Sequence, residues 1–301
     1  MYTGKLLFAI GLLVSGLLFH ACTPPLQGDY YSIPNPKKAI NQKNYGEGNM
    51  KFAMQPNHLE APMPGRKGDV YLKGGIGNGS NLCLTMATGN KFGFYTRISG
   101  NRFEEEYSES ADVLVHVNHY ENDVLTNSYD FMGKGTLQGT MKHEQVLFEL
   151  AGGYFNRVKG NFHHETWTGV AFGRATTHQD IELLAYGAAT QTNLREYRDL
   201  VQYFLQYNAG FRGGAAELSF MNRLEASYFY LQHFDLEPGY ESYEMKRSTL
   251  SFRPGIRTGL GNQKIRLFAQ YEWLIPLVKG DVSWKKNQFS GGLILRLNYL
   301  K

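Results

Sequence analysis

Cysteine is almost missing from this chain: two residues in 301, so one disulfide is the most it can form. Charge is also thin, at 19% of residues against a usual ~25%. The 31 basic and 27 acidic residues are spread along the chain, and the resulting +4 does not make a nucleic-acid footprint. Beyond the first two dozen residues there is no apolar run near the ~18–20 residues that a spanning helix needs. A mean hydropathy of −0.39 likewise excludes a helical membrane protein. Nucleophile elbow, Walker loop and dinucleotide fingerprint are all absent, because the glycines fall in strands and turns instead of opening a helix. What the chain does have is 34 Gly, 20 Tyr and 19 Phe, and that bias points to β-structure. Length alone suggests two domains, but barrels use 200–250 residues as one.

Residues 1–21 read as a signal peptide. Lys5 supplies the positive start and Leu6 to Phe19 the apolar stretch, with Ala21-Cys22 at its end. A cut before Cys22 puts Phe19 at −3, which ordinary signal peptidase does not favour. The pattern resembles the loose lipoprotein signal of Bacteroidota, with Cys22 as the lipidated first residue; an uncleaved anchor and plain secretion are the alternatives. Cys83 then has no disulfide partner and is expected to be a small packed residue. From 22 to 67 the chain is rich in Pro, Asn, Lys, Gln and Gly without a sustained period, as in an irregular tether.

Residues 68–301 alternate with period two. Ile265, Leu267, Ala269, Tyr271 and Trp273 oppose Arg266, Phe268, Gln270 and Glu272. Phe289, Gly291, Leu293, Leu295 and Leu297 oppose Gln288, Ser290, Gly292 and Arg296, with Ile294 out of pattern. Ten such segments predict an all-β fold, a single antiparallel up-and-down transmembrane barrel of about ten strands. Short Gly/Asn links at Thr88–Lys91, Gly213-Gly214 and Gly259–Gln263 alternate with long ones at 101–143, 176–196, 232–247 and 278–286, with Asn78-Gly79-Ser80 the one short exception at the long end. Short periplasmic turns and long external loops are the outer-membrane pattern, and an even strand count places both termini in the periplasm. A soluble calyx on a lipid tether, with its apolar face inward around an apolar ligand, alternates in the same way.

Gln55-Pro56-Asn57, Pro62-Met63, Lys67-Gly68-Asp69, Gly74–Gly77, Phe172–Ala175, Gln206–Phe211 and Arg253–Arg257 together resemble a set of uncharacterised Bacteroidota outer-membrane β-barrel lipoproteins. The resemblance covers about 55–301 except the second loop and implies location and fold, not an activity.

Ten strands enclose little more than side chains, whereas porins need ~16–18. The expected lumen residues Asp69, Lys73, Arg97, Glu149, Arg212, Glu217, Arg223, Glu225, Arg253, Arg257, Arg266, Glu272 and Arg296 carry both signs, which suits a salt-bridged plug. For metals, His116 and His119 in the long external loop 101–143, and His163 and His164 near a turn, are of ligating type but match no motif, so neither metal nor cofactor is expected. The reading is an outer-membrane, lipid-anchored barrel of the Gram-negative envelope, monomeric and without predicted catalysis. Its partners are the lipid bilayer and a ligand or protein met through 101–143, not nucleic acid. The rival enzyme is a rim hydrolase using His116 with Asp112 or Asp123 as general base.

Overall fold

The computed structural model describes residues 27–33, 53–54, 64, 67–77, 79–157, 161–233, 248–278, 283–284 and 286–297. The signal peptide, Cys22, most of the 22–67 tether and most of the links 232–247 and 278–286 lie outside the described residues. Fourteen strands are described: β1 (Gly28–Ser32), β2 (Ala53–Met54), β3 (Val70–Gly77), β4 (Ser80–Ala87), β5 (Phe92–Glu121), β6 (Val124–Arg157), β7 (Phe162–Ala185), β8 (Ala188–Arg212), β9 (Ala216–His233), β10 (Ser248–Gly261), β11 (Ile265–Trp273), β12 (Ile275–Val278), β13 (Ser283–Trp284) and β14 (Asn287–Arg296). Ten of them, β3 to β11 and β14, pair antiparallel with their neighbours, and β14 returns to β3, which closes the barrel.

Parity sets the two surfaces. On β11, Ile265, Leu267, Tyr271 and Trp273 are exposed, while Arg266, Phe268, Gln270 and Glu272 are buried. The out-of-pattern Ile294 packs inside the barrel with Tyr71 and Phe268. Trp167 is buried too, and glycine makes room for it. Gly153 faces Trp167 across the β6–β7 ladder, and a Cβ there would lie 2.3 Å from the indole ring. Pro254 sits where β10 changes neighbour from β11 to β12, so its missing N–H falls at an interruption of the ladder.

Two of the expected long loops are not loops. Residues 101–121 and 124–143 continue β5 and β6 as one hairpin, turning only at Asn122 and Asp123 with φ of 50° and 66°. The 176–196 link likewise continues β7 and β8 to a turn at Tyr186-Gly187 with φ of 52° and 81°. Positive φ at both central residues is the hairpin geometry that follows strand twist. These four strands therefore run far past the rest of the barrel. The tether is not wholly irregular either: β1 adds to the edge of β5, pairing Gly28 with Tyr120 and Ser32 with His116. Tyr31 stacks on Tyr186 at 5.8 Å, bringing β1 towards β8 and curling the extension into a roll. Inside the roll Ile33, Val113, Val115, Val117, Leu137, Ile181 and Leu183 form an apolar core.

Candidate functional site

The barrel interior is filled by charge. Period-two strands from opposite sides of a narrow closed sheet aim their polar residues at one another, so long Arg and Glu side chains meet across the bore. Glu149 receives Arg97 at 2.6 Å, Arg223 at 2.8 Å and the Tyr95 hydroxyl at 2.6 Å. The chain continues from Arg223 to Glu225 at 3.0 Å, to Arg253 at 3.2 Å and to Glu272 at 2.7 Å. Three arginines thus alternate with three glutamates, and all six are buried. Arg223 also lies 3.6 Å over the Phe204 ring and Lys73 lies 4.6 Å over Phe268, which offsets part of the desolvation cost.

At the short-turn end Glu217 receives Arg212 at 3.1 Å, Arg266 at 2.8 Å and Arg257 at 2.9 Å, and Arg296 pairs with Asp69. Twelve of the thirteen residues expected in the lumen lie on inward-facing positions of their strands, and Asp69, buried, immediately precedes β3. Gln202, Gln206 and Asn208, which alternate with Val201, Tyr203, Leu205 and Tyr207, are buried on the same side, and so are Glu165 and Arg198, which the alternation does not single out. Glu165 is held by the Trp167 indole at 2.9 Å and the Asn208 amide at 3.2 Å.

The histidines separate. His163 is buried while His164 faces the other side of β7, so the two cannot share an ion. His119 binds Asp29 of β1 at 2.7 Å and lies 3.7 Å from Glu121. The Asp29 hydrogen bond, more than any other effect, raises the His119 pKa above its ordinary value. Among the described residues no group of three or more His, Cys, Asp or Glu side chains is arranged to hold a metal ion. Cys83 is buried beside Tyr95 and Trp167.

Neither acid expected beside His116 is there: Asp112 binds Lys134 at 2.5 Å, and Asp123 sits in the turn. The register instead sets Asp130 opposite His116, with the carboxylate 2.6 Å from Nδ1. On the other side of the ring Nε2 lies 3.2 Å from Ser128 Oγ and 3.1 Å from Asn118 Oδ1. With Nδ1–H donating to Asp130, Nε2 is an acceptor to which the Ser128 hydroxyl can donate, the relation of a nucleophile, base and orienting acid; Asn118 Oδ1, itself only an acceptor, opposes that tautomer, because its contact with Nε2 calls for an N–H there.

Just above the apolar surface two ion pairs face outward. Arg102 and Glu144 are 3.6 Å apart, and Arg174 binds Asp199 at 2.6 Å. That hydrogen bond is the main cause of a lowered Asp199 pKa and a raised Arg174 pKa.

No protein-family model and no curated protein matches the chain. A solved structure described as a bacterial polysaccharide outer membrane secretin is similar at 6% identity over 77% of this chain and 99% of that one, with a TM-score of 0.24, too slight a likeness to argue from.

Proposed function

We propose that the protein is an outer-membrane β-barrel whose lumen is plugged by ion pairs and whose elongated roll is the external part that meets other molecules. The observation that carries this is the inverted polarity: charge inside, and outside a continuous apolar belt. Leu205 is 54% exposed, Leu267 64% and Phe289 56%, an arrangement that water would oppose and lipid favours. On β8 the belt runs from Val201 to Phe211, about eleven residues, which at ~3.4 Å rise and ~45° tilt spans roughly 25 Å, the height of an outer-membrane apolar band. Aromatic pairs edge it at both ends: Phe92–Tyr154 and Phe162–Phe211 beside the short turns, Tyr271–Trp273 and Phe148–Phe172 below the roll. A calyx for an apolar ligand would need the opposite orientation.

In this reading the short turns face the periplasm and the roll stands outside. Strand β1 then changes the expected place of the N-terminal part. Gly28 pairs at Tyr120, at the far end of the roll, and Cys22 lies six residues before it, within about 20 Å of chain reach. A lipid on Cys22 would therefore stand on the roll's side, not in the periplasmic leaflet beside the short turns. The motifs quoted above support membership of the Bacteroidota lipoprotein set.

The test is a pair of substitutions assayed by folding into vesicles. Leu205→Arg, at the middle of the belt, is expected to cost about 2–4 kcal/mol. Leu114→Arg, on the outer face of the roll, is expected to be nearly neutral. Equal, small effects would defeat the membrane reading.

A rim hydrolase is the second reading, favoured by Ser128, His116 and Asp130. Ser128 Oγ would attack an acyl carbon as its proton passes to His116 Nε2, which then protonates the leaving group. The trio is partly exposed on the roll's outer face, where water weakens stabilisation of developing charge, so this reading ranks second. Fluorophosphonate labelling lost in Ser128→Ala and in His116→Ala would raise it; absence of labelling in the parent chain would remove it.

A further inference from the structure

Cations outnumber carboxylates at both levels of the lumen, but they open on a pocket at one. At mid-height three arginines meet three glutamates, with Lys73 beside them over the Phe268 ring. Among the described residues of the short-turn end, Arg212, Arg257, Arg266 and Arg296 face Glu217, Asp69 and Glu165, four guanidiniums against three carboxylates. Lys264, in the β10–β11 turn at the rim, adds a further positive charge. One carboxylate, that of Glu217, serves three of these guanidiniums.

The excess opens on a pocket of about 260 Å³ at the mouth of the barrel. Arg212 reaches it from β8, Arg266 from β11 and Arg296 from β14, with Lys264 at the entrance and His163 and Asn161 on the wall. Tyr71 backs two of the cations, its ring 5.5 Å from Arg212 and 5.6 Å from Arg296. Repulsion among cations held near one another at low dielectric is costly, and an anion entering the pocket relieves it. A planar carboxylate is satisfied by one bidentate guanidinium. Cations converging from three strands suit a tetrahedral group with several charged oxygens.

We propose that the short-turn mouth is a binding site for a phosphate group, held by Arg212, Arg266, Arg296 and Lys264. The mouth opens at the edge of the apolar belt, so the phosphate can be that of a lipid headgroup or of a free solute. The site is distinct from the roll and does not depend on what the roll meets.

The full chain in an uncharged, phosphate-free detergent is titrated with inorganic phosphate at low ionic strength by calorimetry. Saturable binding is expected, weakened at least about tenfold by Arg266→Gln, in line with loss of a charge-assisted hydrogen bond. Lys264→Gln, an exposed change that leaves the network intact, keeps the test valid where Arg266→Gln does not fold; it is expected to weaken binding severalfold. Arg102→Gln, at the other end of the barrel, is expected to change nothing. Micelles doped with phosphatidylglycerol distinguish the source: occupancy by lipid blocks the phosphate titration, whereas a solute site still binds phosphate. Either result supports the site. The proposal is overturned if neither ligand binds saturably, if sodium chloride of equal ionic strength reproduces the effect, or if Lys264→Gln and Arg102→Gln behave alike.

Discussion

Glu149→Gln tests whether the lumen is a dry plug or a wet channel. The substitution keeps the shape of the side chain and removes its charge. Glu149 receives Arg97 at 2.6 Å, Arg223 at 2.8 Å and Tyr95 at 2.6 Å, and both arginine side chains are fully buried beside it. Without its carboxylate the mid-height network holds three buried cations and two anions. Breaking a buried pair in this way costs about 3–5 kcal/mol, roughly a hundredfold or more in the folding equilibrium. The measurement is urea unfolding of the barrel in vesicles, followed by the gel shift between folded and unfolded forms. Arg97→Met in the Glu149→Gln background removes the surplus cation and is expected to recover more than half of the loss, because the remaining pairs are balanced again. In a planar bilayer the parent chain is expected to show no steady conductance. A loss below about 1 kcal/mol for Glu149→Gln, or a double variant weaker than the single, would mean that water solvates each charge separately, and the plug would be refuted.

Gly153→Val places its Cβ 2.3 Å from the Trp167 ring and is expected to cost about 1–3 kcal/mol or to block folding, while Gly152→Ala, with nothing within 4 Å of its Cβ, is expected to be tolerated; the same urea titration reads both. Docking of β1 is expected to weaken at alkaline pH. Asp29 raises the His119 pKa, so the ion pair contributes fully below the undocked value of ~6.5 and is lost as pH climbs through the docked one. Hydrogen exchange at 28–32, corrected for intrinsic rates, should follow that course and become flat in Asp29→Asn; a pH-independent parent would refute the coupling. Arg174→Ala removes an outward, half-exposed pair with Asp199 and is expected to cost under about 1 kcal/mol by the same urea titration; a larger loss would place the pair at the lipid boundary instead of in water.

The ten barrel strands are legible in the sequence because the outward and lumen-facing positions carry opposite chemistry. Residue by residue along β11, that opposition writes itself as Ile, Arg, Leu, Phe, Ala, Gln, Tyr, Glu. The roll reads as loop, apart from a short strand at Val113–Val117, for the converse reason. From Glu104 to Ser110 the outer face is wet and the inner face is not yet apolar, so Glu occurs at both parities and the alternation vanishes. The signal reappears at Ala111, Val113, Val115 and Val117, where the roll has a core, and Asn122-Asp123 is a turn dipeptide that two strands could have been built around. Parity identifies which charges point inward but not which of them meet. Arg223 and Glu149 belong to β9 and β6, which are not neighbours in the sheet, and only closure at a small diameter brings them within 2.8 Å.

The chemistry at the roll's tip was hidden by register, which parity cannot supply. His116 meets Asp130, and Asn118 meets Ser128, because the β5–β6 ladder turns at Asn122-Asp123 and shifts register between His119 and Tyr120. A slip by one residue moves every side chain on the shifted strand to the other face. Deleting Leu125, in the short arm between the turn and the irregularity, is therefore expected either to remove the bulge and preserve the His116–Asp130 pair, or to slide β6 and bring Val113 against a strand whose apolar face has turned to solvent. The second outcome would expose the core formed by Val113, Val115, Leu137 and Ile181, and binding of a hydrophobic dye to the deletion variant would report it. Retention of the Ser128–His116 contact without dye binding would show that the irregularity absorbs the lost residue, and that the tip's register is set by the roll's core, not by the turn.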